Sequence, residues 1–129
     1  MDIRFGNEQR TVKSAADVDA VLAEAATSQT LLFLAGDSGT LAVGVGHPTH
    51  AVLLYNPKAG RPPMHALGDP TADSCEFQPP LTFDGRGFCD RCAIPARQAR
   101  DAARAFFESS DVLPNSVAWE PEPVVRNAS

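Results

Sequence analysis

The chain has 129 residues, 43 % of them hydrophobic, and a formal net charge of −5 at pH 7. That length suits one domain around one core, and the acidic balance excludes general binding to nucleic-acid phosphates, which needs a basic surface. No apolar run approaches the ~18 residues that span a bilayer. The polar start MDIRFGNEQR lacks the apolar core of a signal peptide, and the cysteines number three, so a cytoplasmic protein with reduced thiols is expected.

In chain order, DIRFGNEQRTVK reads as a small hairpin: Ile3 and Phe5 alternate with polar residues, Gly6-Asn7 supplies a turn, and Thr11-Val12-Lys13 returns. Ser14-Ala15-Ala16-Asp17 fits the capping-box pattern of a helix start. The helix is predicted to run to about Thr27, with Val18, Val21, Leu22 and Ala25 on its core stripe. Strands are predicted over about 30–35, 40–46 and 51–55. The last, AVLLY, is too apolar to have a wet face and belongs in the middle of a sheet. NPKAGRPP is a turn, MHAL a short strand, GDPTADS a turn and CEF a short strand. LTFDGRGF reads as a hairpin around Asp84-Gly85-Arg86-Gly87.

Pro95 suits the first turn of a second helix over about 95–109, with Ala99, Ala102, Ala103, Phe106 and Phe107 on one face. SVAWE is a short strand with Trp119 on the core, and PEPVVRNAS, residues 121–129, reads as a loose tail. There is no internal repeat and no linker, which leaves one domain over residues 1–120. The order β-β-α-β-β-β-β-β-α-β predicts an α+β fold, a mostly antiparallel sheet with two helices packed against it.

Several residue groups bear on chemistry. Gly36-Asp37-Ser38-Gly39 matches the tetrapeptide around the nucleophile of chymotrypsin-like proteases. In that family the base and orienting acid precede the serine, whereas His47, His50 and His65 all follow Ser38. A serine without a base is a weak nucleophile, so a turn between two strands is the expectation. Cys89-Asp90-Arg91-Cys92 is a C-x-x-C pair with Cys75 upstream, and His65, or His47 or His50, could complete a zinc site of three cysteines and one histidine. Gly44 and Gly46 before His47 lead into a strand and not a helix N-terminus, which points to a tight turn and not a phosphate loop. His47 and His50 lie on that turn, where exposed imidazoles are usual.

Charge is uneven along the chain. Residues 69–90 hold five acids, Asp69, Asp73, Glu76, Asp84 and Asp90, against Arg86 alone, so −4 of the net −5 sits there. Such a segment is either a solvated loop face or an acidic docking surface that steers a basic partner. Arg97, Arg100 and Arg104 line one side of the second helix, with Asp101 and Glu108 four residues after Arg97 and Arg104 as local partners. No aromatic residues interleave with them, as a single-strand platform requires.

The succession of a capped helix, an apolar strand, LAVGVGHPTHAVLLY, HALGDP, a glycine-containing hairpin and IPARQARDAARAFFESSDVLPNSVAWE resembles the Imm1 immunity-protein family of bacterial polymorphic toxin systems, well represented in actinobacteria. The resemblance covers about residues 3–120. Its most specific pieces are Gly44-x-Gly46 before Val52-Leu53-Leu54-Tyr55, then Gly68-Asp69-Pro70, then the Ile94-Pro95 helix with Ala99, Ala102 and Phe106 ahead of Pro114-x-x-Val117-x-Trp119. It implies an inhibitor and not an enzyme, one that binds and neutralises a cognate toxin, with no catalytic residue and no cofactor to carry over. Toxins encoded beside this family often belong to the deaminase superfamily and act on nucleic acid, so a basic substrate cleft is the implied target. The family's motif residues look structural: glycines for turns, Leu53, Tyr55 and Trp119 for packing. On the acidic segment Glu76, Asp84 and Asp90 are the expected contacts, followed by Asp73 and Asp69, which also suits a cap of the Gly-Asp-Pro turn. At FCDRCAIP the chain departs from the family, which commonly has an aromatic or acidic residue where these cysteines stand. That keeps open a second reading, a small zinc-stabilised binding or regulatory domain using Cys75, Cys89, Cys92 and His65.

Overall fold

A computed structural model describes residues 1–58, 62–68, 81–88, 90–109 and 117–121. The first hairpin is β1 (Asp2–Phe5) and β2 (Glu8–Thr11), antiparallel with Ile3 opposite Arg10. Ser14 caps α1 (Ala15–Ala25), its hydroxyl accepting from the Asp17 amide at 3.1 Å. The Asp17 carboxylate reaches back to the amide of Lys13 at 2.9 Å and not to that of Ser14. Val18, Val21, Leu22 and Ala25 are the buried stripe, as their spacing predicts. The helix stops before Thr27-Ser28-Gln29, short of the expected end, because Thr and Ser favour caps and turns over helix interiors.

Then follow β3 (Thr30–Ala35), β4 (Gly39–Val45), β5 (His50–Pro57), β6 (Met64–Leu67), β7 (Leu81–Phe83) and β8 (Arg86–Phe88). A single 3-10 turn (Asp90–Cys92) leads into β9 (Ile94–Pro95), α2 (Ala96–Ser109) and β10 (Ala118–Pro121). The main sheet runs β10-β6-β5-β4-β3-β1-β2, and all its pairings are antiparallel. The fold is α+β, in the predicted order. Three details differ from the sequence reading. Pro95 closes β9, pairing with His50, and the helix starts one residue later. Pro121 pairs with Met64, so the last strand takes the first residue assigned to the tail. The β7–β8 turn is only Asp84-Gly85, both at positive φ (53° and 78°), the two-residue I′ geometry that matches strand twist. The CEF strand lies outside the described residues, as do residues 122–129.

Side-chain alternation along three central strands makes two cores. Leu32 and Leu34, Leu41 and Val43, and Leu53 and Tyr55 face the helices, which pack on one side of the sheet with Val18, Leu22, Ala99, Ala102 and Phe106. The intervening Leu31, Ala42, Val52 and Leu54 face the opposite side, covered by Leu81, Phe83 and Phe88 of the β7–β8 hairpin. This is why AVLLY has no polar face: β5 lies between β4 and β6 and is covered on both sides. Alanines at 99, 102 and 103 leave α2 a smooth face, and Phe106 fills the remaining space edge-on to Tyr55, ring centroids 6.2 Å apart. Trp119 is half-buried against the same core. Among the described residues no helix is long and apolar enough to cross a membrane.

Candidate functional site

Ser38 sits in the β3–β4 turn, which is closed by a bond from the Gly36 amide to the Gly39 carbonyl at 2.9 Å. Its hydroxyl shares a hydrogen bond with the Tyr55 hydroxyl at 2.7 Å. The protease-like tetrapeptide is therefore a turn whose serine is tied to the core. Gly46 is likewise structural: φ is +98°, and a Cβ there would run into the Ser28 carbonyl. Gly44 leaves room for the Phe83 ring, which a Cβ would meet at 2.8 Å. Neither glycine opens a helix N-terminus.

Of the acidic segment, Asp69, Asp73 and Glu76 lie outside the described residues, and Asp90 opens the 3-10 turn. Asp84 is described and holds a specific post. Its carboxylate accepts from the Thr30 hydroxyl at 2.6 Å and the Leu31 amide at 3.0 Å, and its own amide donates to the Gln29 carbonyl at 3.0 Å. Gln29 returns a bond from its side-chain amide to the Thr82 carbonyl at 2.7 Å. Asp84 thus pins the hairpin to the start of β3. The Asp-Gly pair announces its tolerance of positive φ, but nothing local announces Thr30 and Leu31, more than fifty residues away.

Cys75 and Cys89 lie outside the described residues. Cys92 is half-buried, with Sγ 3.4 Å from Nδ1 of His65, which also lies 3.0 Å from the Ala66 carbonyl. His65 on β6 is only 1 % exposed and faces Glu120 on β10, its cross-strand partner. Nε2 lies 2.9 Å from Oε1 of Glu120 yet makes no aligned hydrogen bond, so the contact is one of proximity. Arg91 grips Glu120 with Nε at 2.6 Å and Nη2 at 2.9 Å. That bond, followed by the guanidinium charge, holds the Glu120 carboxyl below the usual carboxylate range. The sequence reading missed this pair, since residues 29 apart meet only through strand pairing. Among the described residues no three His, Cys, Asp or Glu side chains converge as a metal would require.

A cleft of about 740 Å³ lies between the C-terminal half of α1 and α2. The β4–β5 turn closes one end with His47 and Pro48. Arg97, Arg100 and Arg104 line the α2 wall, and Asp19 is the acid in the lining. The expected local pairs of Arg97 with Asp101 and Arg104 with Glu108 are not made. Arg104 instead lies 3.7 Å from Asp19 across the helix pair. The physical reason is orientation, since an acid N-terminal to its base pairs better along a helix than the reverse order present here.

His47 is fixed at the mouth of this cleft. Its Nδ1 accepts from the amides of Thr49 at 3.2 Å and His50 at 3.1 Å, so the ring hydrogen is on Nε2. Burial, with His50 close by, lowers its pKa below the ordinary imidazole value. His50 shares a hydrogen bond with the Thr49 hydroxyl at 2.7 Å. Sequence spacing predicted exposed turn imidazoles; His47 is half-buried because it closes the turn on itself.

A family model for immunity protein Imm1 matches residues 6–121. The chain belongs to this family. No curated protein matches it. In this Imm1 protein the motif residues by which the family is recognised build the scaffold. Gly44 and Gly46 allow close packing, Leu53, Tyr55 and Ile94 are buried, and Trp119 leans on the core. The Asp84 tether and the Arg91–Glu120 pair are set upon that frame by other residues, and the helix-lined cleft takes Gly44, Gly46 and Ala99 from it.

Proposed function

We propose that this Imm1 protein binds a cognate protein toxin and holds it inactive by covering its substrate site, contributing no chemistry of its own. The observation that carries the reading is the family match over nearly the whole chain. A deaminase-type toxin acting on nucleic acid is the target proposed, since such an enzyme needs a basic cleft and the net −5 of this chain is concentrated at residues 69–90. Glu76, Asp90, Asp73 and Asp69 are proposed to face that cleft. Asp84 adds its charge to the field, but its carboxylate is engaged with Thr30 and Leu31. The test is co-expression with the toxin domain encoded beside this chain. Rescue of growth and a one-to-one complex are expected; continued killing with no complex would end the immunity reading.

A second reading, a structural zinc held by Cys75, Cys89, Cys92 and His65, draws support from the 3.4 Å approach of Cys92 Sγ to His65 Nδ1. Ligation there needs Nδ1 unprotonated, at the expense of its contact with the Ala66 carbonyl. Metal analysis of purified protein decides it: about one zinc per chain supports the site, and none rejects it.

A further inference from the structure

The cleft between α1 and α2 carries a charge opposite to that of the whole chain. Arg97 and Arg100 are exposed, three residues apart on α2 and hence neighbours on its surface. Among the described residues neither is in an ion pair. The start of α2 adds the positive end of its helix dipole to the same place. At the mouth, His47 is fixed by its Nδ1, which accepts from the amides of Thr49 and His50. The solvent-reachable apolar lining is Ala23, Ala26, Val45, Pro48 and Ala96.

The lining bears on the class of occupant. Among the described residues no Phe, Tyr or Trp lines the cleft and its only rings besides Pro48 are the imidazoles of His47 and His50, so it lacks the large aromatic platform of a single-strand binder. An acidic polypeptide segment brings the carboxylates that Arg97 and Arg100 lack, and on the immunity reading the partner is a protein.

We infer that the cleft receives an acidic segment of the toxin, with Arg97 and Arg100 pairing its carboxylates. The inference rests on the immunity reading. It is compatible with a basic toxin surface meeting Asp84 beside it. The β7–β8 turn is tied to Gln29, and the neighbouring Ser28 backs Gly46 at the cleft mouth. A toxin surface carrying a basic cleft beside an acidic loop would match both signs and fix its orientation.

The experiment is a titration of the toxin domain encoded beside this chain with wild type, Arg97→Glu/Arg100→Glu and Lys13→Glu/Lys58→Glu. The two variants change net charge equally, and Lys13 and Lys58 are exposed and outside the cleft. Glutamates in the first turns of α2 suit the helix dipole, so the arginine variant keeps its fold, checked by circular dichroism. Its Kd is expected to rise about 30-fold or more, and that of the lysine variant about threefold or less. Equal affinity of wild type and the arginine variant overturns the cleft assignment and leaves the immunity reading standing. No binding by wild type overturns both. A single-stranded oligonucleotide that binds wild type at physiological salt and not the arginine variant reassigns the cleft to nucleic acid, which also overturns the inference.

Discussion

Asp84 shows how one residue can serve a turn and a tertiary joint together. Its positive φ is tolerable to Asp as to few other side chains, and its carboxylate reaches two donors on β3. Alanine keeps neither property. Asp84→Ala is expected to lower unfolding free energy by about 2–4 kcal/mol, and Asp84→Asn, which keeps one acceptor and the backbone tolerance, by roughly half that. Urea denaturation of the three proteins measures this; equal midpoints would mean the tether contributes nothing. The turn was legible because Asp-Gly between apolar runs has few other uses. The tether was not, because its partners are fixed by where the hairpin lies on the sheet.

At the scale of elements, the β4–β5 turn and α2 behave differently. The turn depends on an unprotonated Nδ1 of His47, which accepts two backbone amides. The folded state therefore takes up that proton less readily than the unfolded chain, consistent with the lowered pKa. As pH falls through the ordinary histidine range the unfolded chain binds it first. The His47 contribution to stability is thus full above that range and is lost below it. The melting temperature is expected to fall between about pH 7.5 and pH 5.5, and His47→Asn, which keeps a side-chain acceptor, should show a smaller fall. An identical fall in both would assign the dependence to other groups. Helix α2 is held by packing instead: Phe106 is fully buried against Tyr55. Phe106→Ala is expected to cost about 3–5 kcal/mol, read from the denaturation midpoint. Both helices were legible from their apolar spacing. That Arg104 pairs with α1 and not within α2 was not, since the crossing of two helices is invisible to either alone.

For the whole molecule, the net charge of −5 and its concentration at residues 69–90 bear on association rate more than on fold. Glu76→Lys/Asp90→Lys, which spares the Asp84 tether, is expected to slow association with the toxin about tenfold at low salt and flatten its salt dependence. Stopped-flow measurements across ionic strengths give both numbers; an unchanged rate would remove the acidic segment from the encounter. The cleft variants are expected to change association as well as dissociation, because they reverse charges at exposed positions.

By itself the sequence determined the α+β class, both helices, the central place of β5 and the scaffold role of the Imm1 glycines. These follow from periodicity and from backbone conformations that few residues adopt, and both are local quantities. Only the tertiary structure decided that His65 and Cys92 meet, that Arg91 grips Glu120, that Asp84 serves β3, and that the arginines of α2 line a cleft against α1. Each of these joins residues far apart in the chain. Strand order, the choice of sheet face and the crossing of two helices bring them together, and no pattern within a single segment encodes those three things.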